Sequence, residues 1–171
     1  MVKPNEVFAK AQALEEQNYK FRTFLKNRAD YDELDAQFLE LHNELFENHN
    51  CCECANCCRV FRTYLSENEV SRIAEYLNMS IIDFSADYLD EAEPSDEKPY
   101  KFKSKPCSFL GDDGKCKIHP CKPDDCNGFP YTNQPDRLAS MLSIIGHAEV
   151  CPIVFEVLQR LKKIYRFRDR W

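Results

Sequence analysis

Glycine is scarce in this chain, with four residues in 171, and there is a single tryptophan. So few glycines leave little room for a phosphate-cradling nucleotide loop and favour helix-rich structure. Basic charge is not in excess: 23 Lys and Arg stand against 29 Asp and Glu, a net charge of −6. That balance argues against a general nucleic-acid binder. No apolar run approaches the roughly 18 residues of a membrane span, so no membrane partner is expected. The first residues, Met1-Val2-Lys3-Pro4-Asn5-Glu6, lead into an acidic amphipathic pattern without an apolar signal core, which predicts a cytoplasmic protein. A Ser–His–Asp order and paired catalytic carboxylates are also missing.

Cysteine is what the chain has in plenty: ten residues, five of them within Cys51-Cys52-Glu53-Cys54-Ala55-Asn56-Cys57-Cys58. In a reducing compartment, thiols clustered this densely hold metal or do redox work. The alternative, a secreted scaffold with the ten paired as disulfides, needs an export signal that is not seen. Side chains three apart can turn back on one centre, so Cys51, Cys54 and Cys57 form a three-thiolate set. Cys58 points elsewhere, to complete that centre or to reach a second one, and Cys52 is left over.

Around the cluster the pattern is mainly α. Residues 5–27 read as a helix with Asn5 as N-cap, and Leu34, Phe38, Leu41 and Leu45 mark a second helix from Tyr31. The two form an N-terminal hairpin over residues 5–48 whose stripe packs on the core. Arg59 to Leu65 reads as a short extended run. Ser66-Glu67-Asn68-Glu69 spells a capping box, and another helix starts at Ser80. Residues 90–99, acidic and holding two prolines, read as a surface loop. Tyr100 to Lys105 alternates like a strand. Cys107 to Ile118 reads as a β-hairpin about Gly111-Asp112-Asp113-Gly114, with Phe109 facing Cys116 and Cys107 on the same face as Cys116.

Cys121 and Cys126 fall in a loop, His119 to Pro130, stiffened by Pro120, Pro123 and Pro130. Residues 137–150 are ambiguous between helix and strand. A final helix runs from Pro152 to about Phe167, with Val154, Val157, Leu158, Leu161 and Tyr165 inward. Its basic end (Lys162, Lys163, Arg166, Arg168 and Arg170) suits the helix dipole. Pro152 fits the first helical turn, so Cys151 falls at the N-cap, where free N–H groups favour a thiolate. The whole, residues 1–171, is expected to be one cysteine-cluster metal-binding domain: a helix hairpin, a small β-hairpin and irregular cysteine-bearing loops about a metal site.

Thiolates ligate both structural zinc and iron–sulfur clusters. The C-x2-C-x2-C run with a remote Cys151-Pro152 is similar to the ligand run of ferredoxin-type four-iron clusters, so a 4Fe-4S cluster stands beside zinc and iron. The motifs Cys51-x2-Cys54-x2-Cys57-Cys58, Pro106-Cys107-Ser108-Phe109-Leu110, Cys116-Lys117-Ile118, Cys126-Asn127-Gly128-Phe129-Pro130 and Cys151-Pro152 resemble the YkgJ-type cysteine-cluster family, also called the CxxCxxCC domain. The resemblance implies zinc or iron chelation, and a related module occurs in flagellin lysine methylases. Carried over residue by residue, it implies the ligand set Cys51, Cys54, Cys57, Cys58, Cys107, Cys116, Cys126 and Cys151.

Where the family has a Tyr and an Arg, this chain has His119 and Lys122, and Cys52 and Cys121 are extra. This leaves open whether His119 or Cys121 is a ligand. Otherwise Cys52 and Cys121 read as spare thiols, or as redox-active ones if their pKa is lowered. His42, His49 and His147 read as surface or core residues. The leading function is a metal-binding protein in an accessory or structural role. The alternatives are an iron–sulfur enzyme component assisting methyl transfer or redox chemistry, and a metal-delivery or sensing protein.

Overall fold

A computed structural model of the chain describes residues 1–93 and 97–169. In chain order the helices are α1 (Val7–Ala13), α2 (Glu15–Arg28), α3 (Tyr31–Glu47), α4 (Cys51–Cys54), α5 (Asn56–Val60), α6 (Glu67–Tyr76), α7 (Ile81–Tyr88), α8 (Asp124–Gly128), α9 (Met141–Ala148) and α10 (Pro152–Ile164). The strands are β1 (Tyr64–Leu65), β2 (Leu89–Glu91) and β3 (Tyr100–Phe102), and a 3-10 turn spans His119–Cys121. Helix takes more than half of the chain. The chain divides into two compact units, Met1–Asn50 with Pro130–Trp171, and Cys51–Phe129. Residues 94–96 of the acidic loop and Arg170 of the basic end lie outside the described residues.

In the first unit the apolar stripes form as their spacing predicts. Leu34, Phe38 and Leu41 of α3 are buried, as are Val154, Val157, Leu158 and Leu161 of α10. The helix expected over residues 5–27 is instead two, because Leu14 N–H turns to Ala11 O (3.1 Å), an i→i−3 bond that interrupts the ladder. Glu6 rather than Asn5 holds the N-cap position, without a side-chain bond. Within the ambiguous stretch 137–150, Met141–Ala148 form helix α9.

Lys162 is buried on α10, with Nζ donating to Gln17 Oε1 at 2.6 Å. Burial holds this ammonium down at about 8. A lysine whose folded pKa is lowered destabilises the fold below that pKa, and the deficit fades as pH rises towards the ordinary value. Lys162→Met is therefore expected to raise stability at pH 7 by about 1 kcal/mol, discounted for solvent screening. The gain should shrink as pH climbs from about 8 to 10.5; thermal melts across that range check it.

In the second unit β3 lies between β1 and β2, antiparallel to both, with Tyr64 opposite Lys101 and Leu89 opposite Phe102. Leu65, Val70, Ile73, Phe84, Phe102, Phe109 and Ile118 form its apolar core, and Cys107 and Cys116 pack on the edge of that core. Among the described residues strand is thus confined to three short pieces. The hairpin expected over 107–118 reduces to a single bridge, and its register is corrected: Leu110, not Phe109, pairs with Cys116. Gly111 N–H to Lys115 O (2.8 Å) and Gly114 N–H to Gly111 O (3.0 Å) tighten the loop too far for a longer ladder. The extended run also begins later than expected, at Phe61, since Arg59 and Val60 complete α5.

The capping box forms as expected, and Glu69 does more than cap. Its carboxylate accepts from Ser66 N–H (2.7 Å) and Ser66 Oγ (2.9 Å), and also from Asp124 N–H (2.8 Å) at the start of α8. Lys98 pairs with Asp125 at 2.5 Å and Arg72 with Asp124 at 3.1 Å, so three side chains fix the short helix that bears Cys126. Ser66→Ala should cost about 1 kcal/mol. Glu69→Ala should cost about 2–3 kcal/mol, because the Asp124 N–H loses its acceptor as well. Denaturant unfolding separates the two.

Candidate metal centre

Helix α4 is one turn, closed by Ala55 N–H donating to Cys51 O at 2.7 Å. Ala55 then takes the left-handed conformation (φ 45°), ending that turn so that α5 starts afresh at Asn56. Arg59 Nη1 donates to Cys54 O (2.7 Å) and ties the second turn to the first. Within Cys51–Val60, Ala55 is the one buried residue; Cys51 is exposed, while Cys52, Cys54, Cys57 and Cys58 are half-buried. The segment therefore has almost no apolar anchorage of its own.

Its anchors are backbone contacts to the Cys107–Cys116 loop. Cys107 N–H donates to Cys58 O at 2.9 Å. Gly114, at φ 77°, lies so close to Cys52 that a Cβ built on it would stand 2.0 Å from the Cys52 carbonyl oxygen. Cys126 arrives from α8, its sulfur 3.2 Å from Thr63 Oγ1. Seven of the eight expected ligands, Cys51, Cys54, Cys57, Cys58, Cys107, Cys116 and Cys126, thus belong to one compact unit.

The charges show how tightly these thiols crowd. Burial pushes up Cys51, Cys107 and Cys116, and lifts Cys126 to about 11. Cys107 also feels Cys58 and Cys116, Cys116 feels Cys58 and Cys52, and Cys126 feels Cys58, Cys107 and Cys116. All six pairs among Cys58, Cys107, Cys116 and Cys126 are therefore within electrostatic reach. Cys51 feels Cys54, Cys52 and Cys58. Cys58 alone is lowered, to about 6: the Cys57 thiol bonds its sulfur, and Arg59 and Lys122 add positive charge.

Among the described residues no three His, Cys, Asp or Glu side chains converge closely enough to hold an ion as they stand. The chemistry of the donor set nevertheless fits one. A tetrahedron of sulfurs about 2.3 Å from zinc has edges of about 3.8 Å, and Cys57 Sγ and Cys58 Sγ already stand 4.0 Å apart. A cation bound by thiolates would also relieve the repulsion among them.

Cys121 is buried in the apolar core, with Sγ directed to Ile118 O at 3.6 Å, and His119 is exposed on the 3-10 turn. Cys151 belongs to the other unit, where it is 8% exposed at the N-cap of α10. His42, bonded to Thr132 Oγ1 at 2.8 Å, His49 and His147 are in that unit too. Spacing alone did not find the contributions of Thr63, Arg59 and Gly114. The Gly-Asp-Asp-Gly turn carried a signal for Gly114, but nothing in the sequence tied that turn to Cys52.

Gly114→Ala should destabilise this unit by about 2–3 kcal/mol, since the new Cβ meets backbone and the conformation is strained. Gly111→Ala should cost less: its nearest neighbour is the Asp113 side chain, which can swing away. Thermal melts, with metal content measured alongside, check the contrast.

A family model described as "CxxCxxCC: Putative zinc- or iron-chelating domain" matches residues 50–152. No curated protein and no solved structure matches the chain. The match covers more than half of the chain, opens beside Cys51 and closes on Pro152, and so takes in every thiol of the cluster. The chain belongs to the CxxCxxCC family.

Proposed function

We propose that this is a metal-binding protein in which Cys51, Cys54, Cys57, Cys58, Cys107, Cys116 and Cys126 hold zinc or iron, and that the metal organises the loops carrying them. The observation that carries this reading is the Cys51–Val60 segment, which brings five thiols together yet buries only Ala55. Apolar packing cannot fix such a segment, whereas thiolate–metal bonds contribute folding free energy outright. Thr63 at Cys126, and Lys122 and Arg59 at Cys58, are the neighbours that would position and neutralise the donors.

The role suited to such a centre is structural or accessory, in a compartment that keeps thiols reduced. When bound, the metal would supply a fixed positive centre that holds thiolates from α4, α5, α8 and the Cys107–Cys116 loop together.

Protein purified without oxygen is expected to carry zinc or iron in elemental analysis, and to lose structure in strong chelator with its thiols reduced. Equal amounts of iron and acid-labile sulfide would identify an iron–sulfur cluster on these ligands. Metal-free protein that stays fully folded in chelator would overturn the reading.

A further inference from the structure

The basic end of α10 carries more positive charge than a helix dipole needs. The dipole sets about half a negative charge there, and exposed cations are enough to meet it. Lys162 is not exposed: only 7% of it reaches solvent, and burying an ammonium is costly unless its charge and its N–H groups are met. Of its three N–H donors, one goes to Gln17 Oε1 at 2.6 Å, and no other side chain or carbonyl among the described residues accepts from it. One turn back on the same face, Gln159 Nε2 is buried and has no acceptor among the described residues either.

Gln17, Gln159 and Lys162 line one cavity of about 380 Å³. A Schellman cap turns the chain beyond α10 back beside it: Phe167 N–H donates to Lys162 O (2.8 Å) and Arg166 N–H to Lys163 O (3.0 Å). Arg166 takes the left-handed conformation, φ 49°, at the position where such caps usually carry glycine. Lys163, Arg166 and Arg168 thereby join the lining, and none of the three forms an ion pair among the described residues. Phe167 packs on Phe21 and Phe24, with ring centroids 5.1 and 5.4 Å away, and gives the cavity an apolar wall. Asp169, the carboxylate that acts on Lys162, is itself paired with Lys20 at 3.2 Å.

We propose that this cavity binds a small organic phosphate, its phosphate held by Lys162, Gln159 and the cations of the rim, its organic group against Phe167. A phosphate dianion meets several cations at once, and its oxygens accept from guanidinium forks, an ammonium and an amide together. A carboxylate would leave most of those donors unmet. The cavity has room for far more than a bare phosphate, since a water takes about 30 Å³, and it lies at the small end of ligand pockets, which run from about 300 to 1,000 Å³. A binding role also explains why a buried lysine stands where methionine would make the fold more stable, because stability is commonly given up at functional sites. The inference does not rest on the metal-binding reading: every lining residue belongs to the unit of Met1–Asn50 with Pro130–Trp171, and the proposed metal ligands belong to the other.

Calorimetric titration of the full chain with phenyl phosphate, inorganic phosphate and benzoate, at about 0.15 M salt to screen general attraction, tests this. Phenyl phosphate should bind saturably at one site with sub-millimolar affinity, and the other two about tenfold or more weaker. Lys162→Met should weaken phenyl phosphate about tenfold or more, through loss of a charge-assisted bond, while raising the melting temperature. Arg166→Gly should also weaken binding without lowering stability, since glycine suits the left-handed position. Lys10→Gln, on α1, should keep the parent affinity, and the metal content of all three variants should match the parent.

A merely structural lysine would not produce this split, in which a more stable protein binds less well. Absence of saturable binding in the parent protein, or parent affinity retained in Lys162→Met, would overturn the site. Benzoate binding as tightly as phenyl phosphate would overturn the choice of phosphate, and inorganic phosphate binding as tightly would overturn the organic group. An equal loss in Lys10→Gln would mark general charge attraction and overturn the site as well. The parent titrations need no variant, so the test stands even if one substitution prevents folding.

Discussion

Thiols packed at close range repel one another once ionised, and the segment that carries most of them has no apolar grip on the fold. That combination is the constraint on which the Cys51–Phe129 unit turns. Burial and neighbouring sulfurs hold Cys51, Cys107, Cys116 and Cys126 in their neutral form, while Cys58, flanked by Cys57, Arg59 and Lys122, ionises readily. Hydrophobic burial, at about 25 cal/mol per Å², secures the α6–α7 core and the sheet but gives α4 and α5 only Ala55. In the proposed reading a metal supplies the missing cohesion, and the donors' crowding becomes the reason the metal binds.

The scaffold prepares the donors with directed polar contacts. Glu69, buried at the start of α6, caps its own helix and accepts the first N–H of α8, so the element bearing Cys126 is set from the α6 terminus. Gly114 admits the Cys52 backbone at a distance that no side chain allows, and the Cys107 N–H closes on the Cys58 carbonyl. Backbone geometry thus sets the approach of the cysteine-bearing segments.

Much of this was legible in the sequence, and for identifiable reasons. The capping box at Ser66–Glu69, the α3 stripe through Leu34, Phe38 and Leu41, and Pro152 opening α10 are local signals, and each formed as expected. The family was legible too, because its motifs are fixed in order and spacing. What failed was tertiary. The break at Leu14 has no glycine or proline to announce it, and the Cys107–Ile118 register depended on how Asp113 and the two glycines tightened the turn. The helix–strand ambiguity of 137–150 could not be settled by periodicity in so short an apolar stretch. Neither the Glu69–Asp124 tie nor the Thr63–Cys126 contact follows from any spacing, since both join residues more than fifty positions apart.

The central claim is that metal, not apolar packing, holds the cysteine-bearing segments of this unit. Hydrogen exchange of the reduced protein, compared with and without its metal, measures this residue by residue. The account predicts that backbone amides of 51–60 and of the Cys107–Cys116 loop lose protection when the metal is removed, while those of α3 and α10, fixed by buried apolar stripes, keep theirs. Unchanged protection across 51–60 in the metal-free protein would contradict it.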